Sequence, residues 1–586
     1  MTEVKQNEDL RFVGRMFYRI LIPSLISSFG LSLGNVVDAV VLGKKIGENG
    51  LAAISFVLPI YMIFNVFDVG LSVGGALIYS KLLGEGKSKE AAAHFNDILL
   101  ISLVFSMLFV FCGIFFTPQI LICLGTTDLC GEVYTLTYDY ASILLRAAPL
   151  FFANHVLFEF VRCDSGEKRA AIGMLGGNVV DILLNLLFVL KMGFGVEGAV
   201  WATVIGQGIS VCIHIGHLFQ KRTILRFRFT VPHFGQVLKS FRIGFAASSR
   251  YILQFLYLIA ANRILMEHHG ATGVAVFDLI MNVSYIAMTF FEGTSQAMQP
   301  LVSTFCGERN ETFAGNVKKR AFHWAMVLTL ILLLVGGVFA KQLCSVFGFT
   351  SMTGSAIGVF AVRIYGIGVL LAGWNLLQGS YLQANGNEMW CYLMSFLRNF
   401  AILLPCTLVF CANANLKNCW WMYPVTELLS CTLWVVIRKI FVHDQSETTD
   451  DGRILRIGMR GDQAELSRMQ KQTEFFCKQW NASQTQVDYI LLTIQEVCNT
   501  VLLNTSSQKS QKDRYIQLTL IALENSDFEI HLRDNYASFH PFDKDAFQIQ
   551  SNIKNENFGD ILLIKQKAKS FFYRRYLGFH TLIVTV

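Results

Sequence analysis

Long apolar runs separated by short polar breaks fill the chain from about residue 16 to 443, after which Gln, Lys, Asp, Glu and Ser take over. A helix of about 20 apolar residues crosses a hydrocarbon core about 30 Å thick. That measure predicts about twelve spans, near 16–43, 51–80, 95–116, 133–161, 170–190, 197–219, 238–262, 274–300, 321–340, 355–382, 389–411 and 418–442. Helices are forced on these segments, because in lipid every backbone N–H and C=O must find its partner within its own segment or bundle. From residue 453 the period changes. The pattern there predicts an amphipathic helix over 462–480, a second over 484–503, alternating strands at 515–523 and 528–534, a helix near 558–569 and a last strand, TLIVTV. The expected fold class is an all-α polytopic membrane body followed by a cytoplasmic α/β sandwich.

The membrane part is doubled. Gly47, Gly50, Ala52, Gly70, Ser72, Ser80, Gly84 and Glu85 recur at a constant offset of 223 as Gly270, Gly273, Ala275, Gly293, Ser295, Ser303, Gly307 and Glu308. Further on the match loosens. Arg146 pairs with Arg363 at 217, and Gly166, Trp201 and Ser210 pair with Gly386, Trp421 and Ser430 at 220, which implies one small insertion. Two pseudo-symmetric six-helix lobes follow, an architecture that in secondary transporters puts the site at the midplane between the repeats. The expected organisation is an N-terminal segment 1–15, a first lobe 16–219, a linker 220–237, a second lobe 238–443, a linker 444–452 and a C-terminal domain 453–586. The basic linker, with Pro232 and two Arg-aromatic repeats, reads as a solvated connector lying on anionic lipid.

Composition agrees with a chain surrounded by bilayer: 53% hydrophobic, 13% aromatic and 16% charged residues, with a mean hydropathy of +0.46. The even-numbered loops carry sixteen Lys and Arg, among them Lys81, Arg162, Lys221 and Lys318, against five in the odd-numbered loops, two of which are Lys44 and Lys45. By the positive-inside rule both termini are cytoplasmic. The formal net charge is +7, but the cations are scattered over loops and make no stripe for nucleic acid. The polar start is followed by an apolar run too long for a removable signal peptide, so the first span is expected to stay. Fourteen cysteines sit mostly singly in apolar runs without a C-x-x-C pair, and no metal site is expected. Cys123 with Cys130, and Cys411 with Cys419, fall in or near outer loops and are the pairs placed to bridge.

A carboxylate in hydrocarbon costs several kcal/mol, so each intramembrane acid is a functional candidate that must face the bundle interior or water. Asp38 follows Asn35 in the first span, and Pro23 lies four turns earlier, where a missing N–H leaves a hinge. Asp181, with Asn178 and Asn185, gathers amide oxygens and a carboxylate suited to a hard cation or a proton relay. Asn154, beside His155, completes that cluster. In the second lobe Asp278, Glu292 and Glu427 either contact substrate or pair with Arg250, Arg363 or Arg398. Tyr138 and Tyr140 present hydroxyls for substrate or serve as ordinary interfacial aromatics. Asp68 has no assigned role.

Three blocks carry a family resemblance: NVVDAVVLGKKIGENGLAAISFVLP from Asn35 to Pro59, residues 162–207, and QPLVSTFCGERN at 299–310. They resemble the first-helix signature, the fourth-loop to sixth-helix block and the eighth-helix exit of the multidrug and toxic compound extrusion (MATE) family, with coverage from about residue 12 to 443. The resemblance implies a V-shaped two-lobed fold, a bacterial plasma-membrane location and efflux of organic, often cationic or amphipathic, compounds in exchange for H⁺ or Na⁺. One departure stands out. Where the family usually has Asn, three residues and then Asp in the fifth helix, this chain has Asp181 and Asn185, which keeps both on one face but moves the carboxylate by about 6 Å.

In the C-terminal domain, IQEVCNT at 494–500, RDNYASFHPFD at 533–543 and FGDILL at 558–563 resemble the boxes of the GHKL ATPase fold in its anti-sigma-factor kinase form. That likeness implies ATP and Mg²⁺ held by Glu496, Asn499 and Asp534. Thr500 stands where the metal-coordinating Asn is expected and Tyr536 replaces a glycine, so the reading is a module that has lost nucleotide and regulates the transporter or captures a cytoplasmic protein. Three function classes follow: an antiporter of small organic compounds, a lipid-linked oligosaccharide flippase of the same superfamily, and a membrane-tethered kinase or sensor. None but the last is an enzyme.

Overall fold

The computed structural model describes residues 13–30, 48–123, 132–220, 223–228, 232–308, 310–346, 352–413, 415–441, 453–459, 463–503, 515–523, 526–534, 564, 567–576 and 579–586. The chain divides into two compact units. One comprises Phe17–Glu85 and Lys89–Ile440; the other comprises Phe441–Val586 with Met1–Met16 and Gly86–Ser88.

The larger unit is helical throughout. Helix α1 covers 13–30. It is followed by α2 (Glu48–Gly84), α3 (Ser88–Phe115), the short α4 (Thr117–Cys123), α5 (Glu132–Arg146), α6 (Ala148–Cys163), α7 (Glu167–Asn185) and α8 (Gly195–Leu218). The second half is built from α9 (Phe234–Gly307), α10 (Glu311–Val346), α11 (Met352–Ala384), α12 (Glu388–Phe396), α13 (Leu403–Asn413), α14 (Leu416–Cys419) and α15 (Met422–Phe441). Among the described residues eight helices are long and apolar enough to cross a membrane, or ten if each of two bent pairs is one span. The segment expected as one span at 133–161 is such a pair, bent by 52° between α5 and α6. Pro149, in the first turn of α6, cannot donate to the turn before it, so the helix restarts there. Two helices loosen into π turns, α7 at Leu186–Lys191 and α12 at Leu397–Ala401.

Helix α9 covers both the seventh and the eighth expected spans without a break in helical assignment. It bends by 49° around Phe245–Ala247. Its two ends rest on one short stretch of α2: a Cβ at Gly70 would lie 3.2 Å from Ser248 Oγ, and Ser303 Oγ donates to the Leu77 carbonyl at 2.6 Å. These α2 residues are about two turns apart, so α9 must double back between them.

The duplication read from the sequence has a geometric counterpart at this seam. A Cβ on Gly84 would overlap the Thr304 carbonyl and approach Glu308 N to 3.2 Å, and a Cβ on Gly307 would overlap the Lys81 carbonyl and approach Glu85 N to 3.2 Å. Each contact becomes the other when 223 is added or subtracted. Gly70 and Gly293 repeat the relation, the first against Ser248 and the second 3.0 Å from Leu25 Cα. Bare glycine faces let helices of the two lobes approach to backbone contact, which is how helices associate where lipid offers no hydrophobic drive.

In the smaller unit five strands pair antiparallel in the order β1-β2-β3-β5-β4: β1 (Ile454–Met459), β2 (Ile516–Ala522), β3 (Phe528–Asp534), β4 (Ser570–Tyr576) and β5 (Phe579–Thr585). Helices α16 (Gln463–Gln479) and α17 (Gln484–Leu503) pack with the sheet around Met469, Cys477, Ile490, Ile494, Leu518, Leu520 and Ile530. The sequence pattern predicts both helices and the three inner strands. It misses β1 and β4, the two edges of the sheet, whose half-wet positions lack clean alternation. The helix expected near 558–569 falls largely outside the described residues.

Candidate functional site

The first-lobe cluster begins with a tight helix crossing. A Cβ on Gly177 of α7 would lie 2.7 Å from the Gly206 carbonyl of α8, and a Cβ on Gly206 would lie 2.7 Å from the Gly177 carbonyl. One turn beyond, this contact brings Asp181 against α8. Asp181 Oδ1 accepts from Thr203 Oγ1 at 3.2 Å and from Asn185 Nδ2, one turn along α7, at 3.1 Å. Neutral groups therefore hold this carboxylate. Asn178 Nδ2 is buried without a hydrogen-bond partner among the described residues, 3.9 Å from where a Cβ on Gly30 of α1 would stand.

One turn further along α8, Gln207 accepts from Asn154 Nδ2 of α6. The Asn154 amide oxygen faces His214 Nδ1 at 3.0 Å, and His214 Nε2 faces the Ala170 carbonyl at 3.2 Å. Neutral imidazole donates from a single nitrogen. Both contacts are satisfied either by a second proton on the ring or by turning the Asn154 and Gln207 amides end for end together. His155, the neighbour of Asn154, points to α2 and pairs with Asp68, whose other oxygen is buried without a partner among the described residues. This Asp68–His155 pair was not foreseen, since nothing in local spacing links positions so far apart.

Second-lobe acids are held differently. Glu292 and Arg250 form an ion pair at 3.2 Å, with the guanidinium also bonded to Tyr251. Glu427 accepts from Arg398 Nε at 2.9 and 3.0 Å and from Asn375 Nδ2 at 2.6 Å. Of the two roles open to these acids, the geometry displays pairing, and with two of the three arginines the sequence offered. The Asp278 side chain lies outside the described residues. So do Asn35 and Asp38.

Tyr140 joins the apolar core of the first lobe with Phe64, Leu144 and Phe152, its hydroxyl 3.3 Å from that of Tyr61, and Tyr138 packs against the same core. Pro23 sits mid-way along α1, which touches both lobes: Gly30 meets Leu175 of α7, Ser28 Oγ reaches Gln296 of α9 at 3.4 Å, and Tyr18 accepts from Trp324 of α10 at 2.8 Å. In the smaller unit Glu496 and Asp534 are buried on α17 and β3, and Asn499 is half-buried. Burial pushes the Cys498 thiol up to about 12, with the Asp534 charge adding to the effect.

The connector between lobes is built into the first lobe. Asn96 of α3 donates to the Arg226 carbonyl at 2.9 Å and accepts from Arg228 N at 2.7 Å. Asp97 accepts from His233 N at 3.1 Å. Asp164 accepts from Tyr79 at 2.8 Å, from His217 and Ile224 N at 3.2 Å, and from Thr223. The described part of this segment is thus hydrogen-bonded to the first lobe, mostly through its backbone, while the side chains of Arg226, Phe227, Arg228 and His233 are exposed.

A family model described as MatE matches residues 23–187 and 247–408, more than half of the chain. The chain belongs to the MatE family. The protein described as "Probable multidrug resistance protein YoeA" from Bacillus subtilis strain 168 is 24% identical over 73% of the chain and 94% of its own length. The multidrug export protein MepA of Staphylococcus haemolyticus is 23% identical over 71% and 91%. Among solved structures, an outward-facing multidrug resistance MATE family transporter aligns with a TM-score of 0.66 at 21% identity, covering 72% of this chain and 95% of that one. A superfamily transporter from Pyrococcus furiosus, described as having a binding pocket of reverse polarity, aligns at 0.68 and 20%, covering 74% and 96%. The family is one of multi-pass membrane multidrug efflux transporters that handle small organic substrates, and it is not an enzyme class. The family match ends at residue 408, before the sheet-containing unit begins.

Proposed function

We propose that this MatE-family chain is a secondary antiporter of a bacterial plasma membrane. It crosses about twelve times with both termini cytoplasmic and exports organic, cationic or amphipathic compounds in exchange for H⁺ or Na⁺. The observation that carries the coupling site is the environment of Asp181, a carboxylate held by Thr203 and Asn185 with no cation bonded to it among the described residues. Such a group keeps a net charge that a proton or a hard cation cancels. Asp38 and Asn35 of the first span are the expected companions, with Asn154 and Asn178 lending amide groups from α6 and α7.

Neutralising this site changes what α1 packs against, because Gly30 of α1 lies beside Leu175 and Asn178 of α7. Bending at Pro23 then passes the change to α9 and α10, which α1 also touches. Substrate affinity differs between the two shapes, the condition for exchange. One charge moved through about 100 mV is worth about 2.3 kcal/mol, enough for a roughly fiftyfold gradient. Glu292, Asp278, Tyr138 and Tyr140 are the substrate contacts in this reading, and Glu292 meets a cation by giving up Arg250. The C-terminal unit serves as a regulatory or partner-binding module.

The test is flux in proteoliposomes with imposed pH or Na⁺ gradients. Wild type should drive counter-transport of an organic cation with one of the two gradients, and the Asp38→Asn and Asp181→Asn variants should not. Normal ion-driven export in both variants would refute the coupling assignment.

A further inference from the structure

Away from the acids of the first lobe, one corner of the second lobe gathers soft ligands. Cys411 lies in the last turn of α13 and Cys419 ends α14; both are buried and joined as a disulfide, with Cα atoms 4.9 Å apart. His269 approaches them from α9. The ring offers a nitrogen that lies within 4.8 Å of both sulfurs. Its Nε2 is buried and has no hydrogen-bond partner among the described residues. A buried imidazole nitrogen without a partner is expensive unless something completes it.

We propose that Cys411, Cys419 and His269 form a zinc site in the reduced protein, in exchange with the disulfide. Zn²⁺ takes thiolate at about 2.3 Å and imidazole nitrogen at about 2.0–2.1 Å in tetrahedral geometry. Those bonds require ligand atoms about 3.5–3.8 Å from one another, within the reach of the present cluster once the sulfurs part by side-chain rotation. The reaction balances. A dithiol reductant delivers two electrons to the Cys411–Cys419 bond, leaves as its own cyclic disulfide and supplies a proton to each sulfur. Zinc then displaces both protons, leaving two thiolates and a neutral His269 on the metal, with water in the fourth position.

The two states tie the fold differently. The disulfide closes only the short loop between α13 and α14. The metal reaches further, because coordination by His269 adds α9. Imidazole is what favours Zn²⁺ over Cu⁺ here, since two thiolates alone satisfy a soft monovalent ion whereas nitrogen and sulfur together suit zinc.

The experiment uses the full chain in detergent, reduced with dithiothreitol and desalted under argon, then titrated with Zn²⁺ against a chromophoric chelator. Reduced wild type should hold one more zinc per chain than the Cys411→Ser/Cys419→Ser variant, which accounts for the remaining cysteines, and oxidised wild type should hold no excess. The His269→Ala variant keeps the disulfide and hence a check on folding through thiol counting; its affinity should fall by more than about tenfold, since even second-shell losses reach that size. Co²⁺ in place of Zn²⁺ should give tetrahedral d–d and thiolate charge-transfer absorption in wild type alone. Equal zinc content in reduced wild type and the double variant, or unchanged affinity in His269→Ala, overturns the site. Preference for Cu⁺ independent of His269 overturns it as well. Because resting protein is titrated, the outcome stands apart from any demonstration of antiport.

Discussion

The two lobes share a scaffold, and Asp181 of one is held differently from Glu292 and Glu427 of the other. At the seam between them, Gly84 and Gly307 make the same contact in mirror register. Inside, Asp181 of the first lobe leans on a hydroxyl and an amide, whereas Glu292 and Glu427 of the second each face a guanidinium. An acid beside an arginine is already neutralised, and one beside neutral donors is still available to a proton or metal cation. Duplication thus preserved the packing that lets two bundles meet and left the charges free to diverge. Under the proposed function, that divergence puts ion coupling in one half and orientation, or substrate exchange, in the other.

The comparison can be broken most directly at Asp181. Replacement by Asn should lower the initial rate of ion-driven export by at least about an order of magnitude, roughly 1.4 kcal/mol or more of lost driving interaction, measured by substrate flux in proteoliposomes. In the second lobe the largest effect should be on stability. Arg398 and Glu427 are 17% and 14% exposed, so Arg398→Ala leaves an unpaired, largely buried carboxylate and should destabilise by about 3 kcal/mol. Removing both partners should recover much of the loss in detergent unfolding, and failure to recover would mean the pair does more than neutralise.

The shared scaffold is tested by Gly84→Ala and Gly307→Ala. Each inserts a methyl against backbone and should destabilise by about 1–3 kcal/mol, by similar amounts; a clear inequality in unfolding midpoints would show that the internal twofold is not mechanical. Arg250→Ala should cost less, about 1 kcal/mol or under, because that pair is about a third exposed. The smallest effect concerns the other unit. With its thiol held near 12 against an ordinary 9.0, Cys498 favours folding below the unfolded pKa, and this contribution is lost as pH rises from 9 toward 12. Maleimide labelling of Cys498 should stay slow at pH 8 until the unit unfolds.

Much of this contrast was legible in the sequence. The offset of 223 located Gly84 and Gly307 before any contact was seen, and hydrocarbon forced the intramembrane acids into view as candidates, with Arg250 and Arg398 named among their partners. The tight Gly177–Gly206 crossing that aims Asp181 at Thr203 was not legible, since it depends on the approach of two helices and not on either alone. The partner of Asp68 was hidden for the same reason. Pro149 offered a signal for the α5–α6 break that hydropathy, averaged over a window, smooths away. Edge strands β1 and β4 escaped because alternation records burial on one face, and edges are weakly buried.

The pinned connector has a mechanical consequence. With Asp164, Asn96 and Asp97 gripping Thr223, Arg228 and His233, these residues ride as passengers on the first bundle. In the proposed rocking of one half against the other these residues move with the first bundle, so a cut or insertion beyond His233 should disturb turnover more than one of equal length between Thr223 and Arg228.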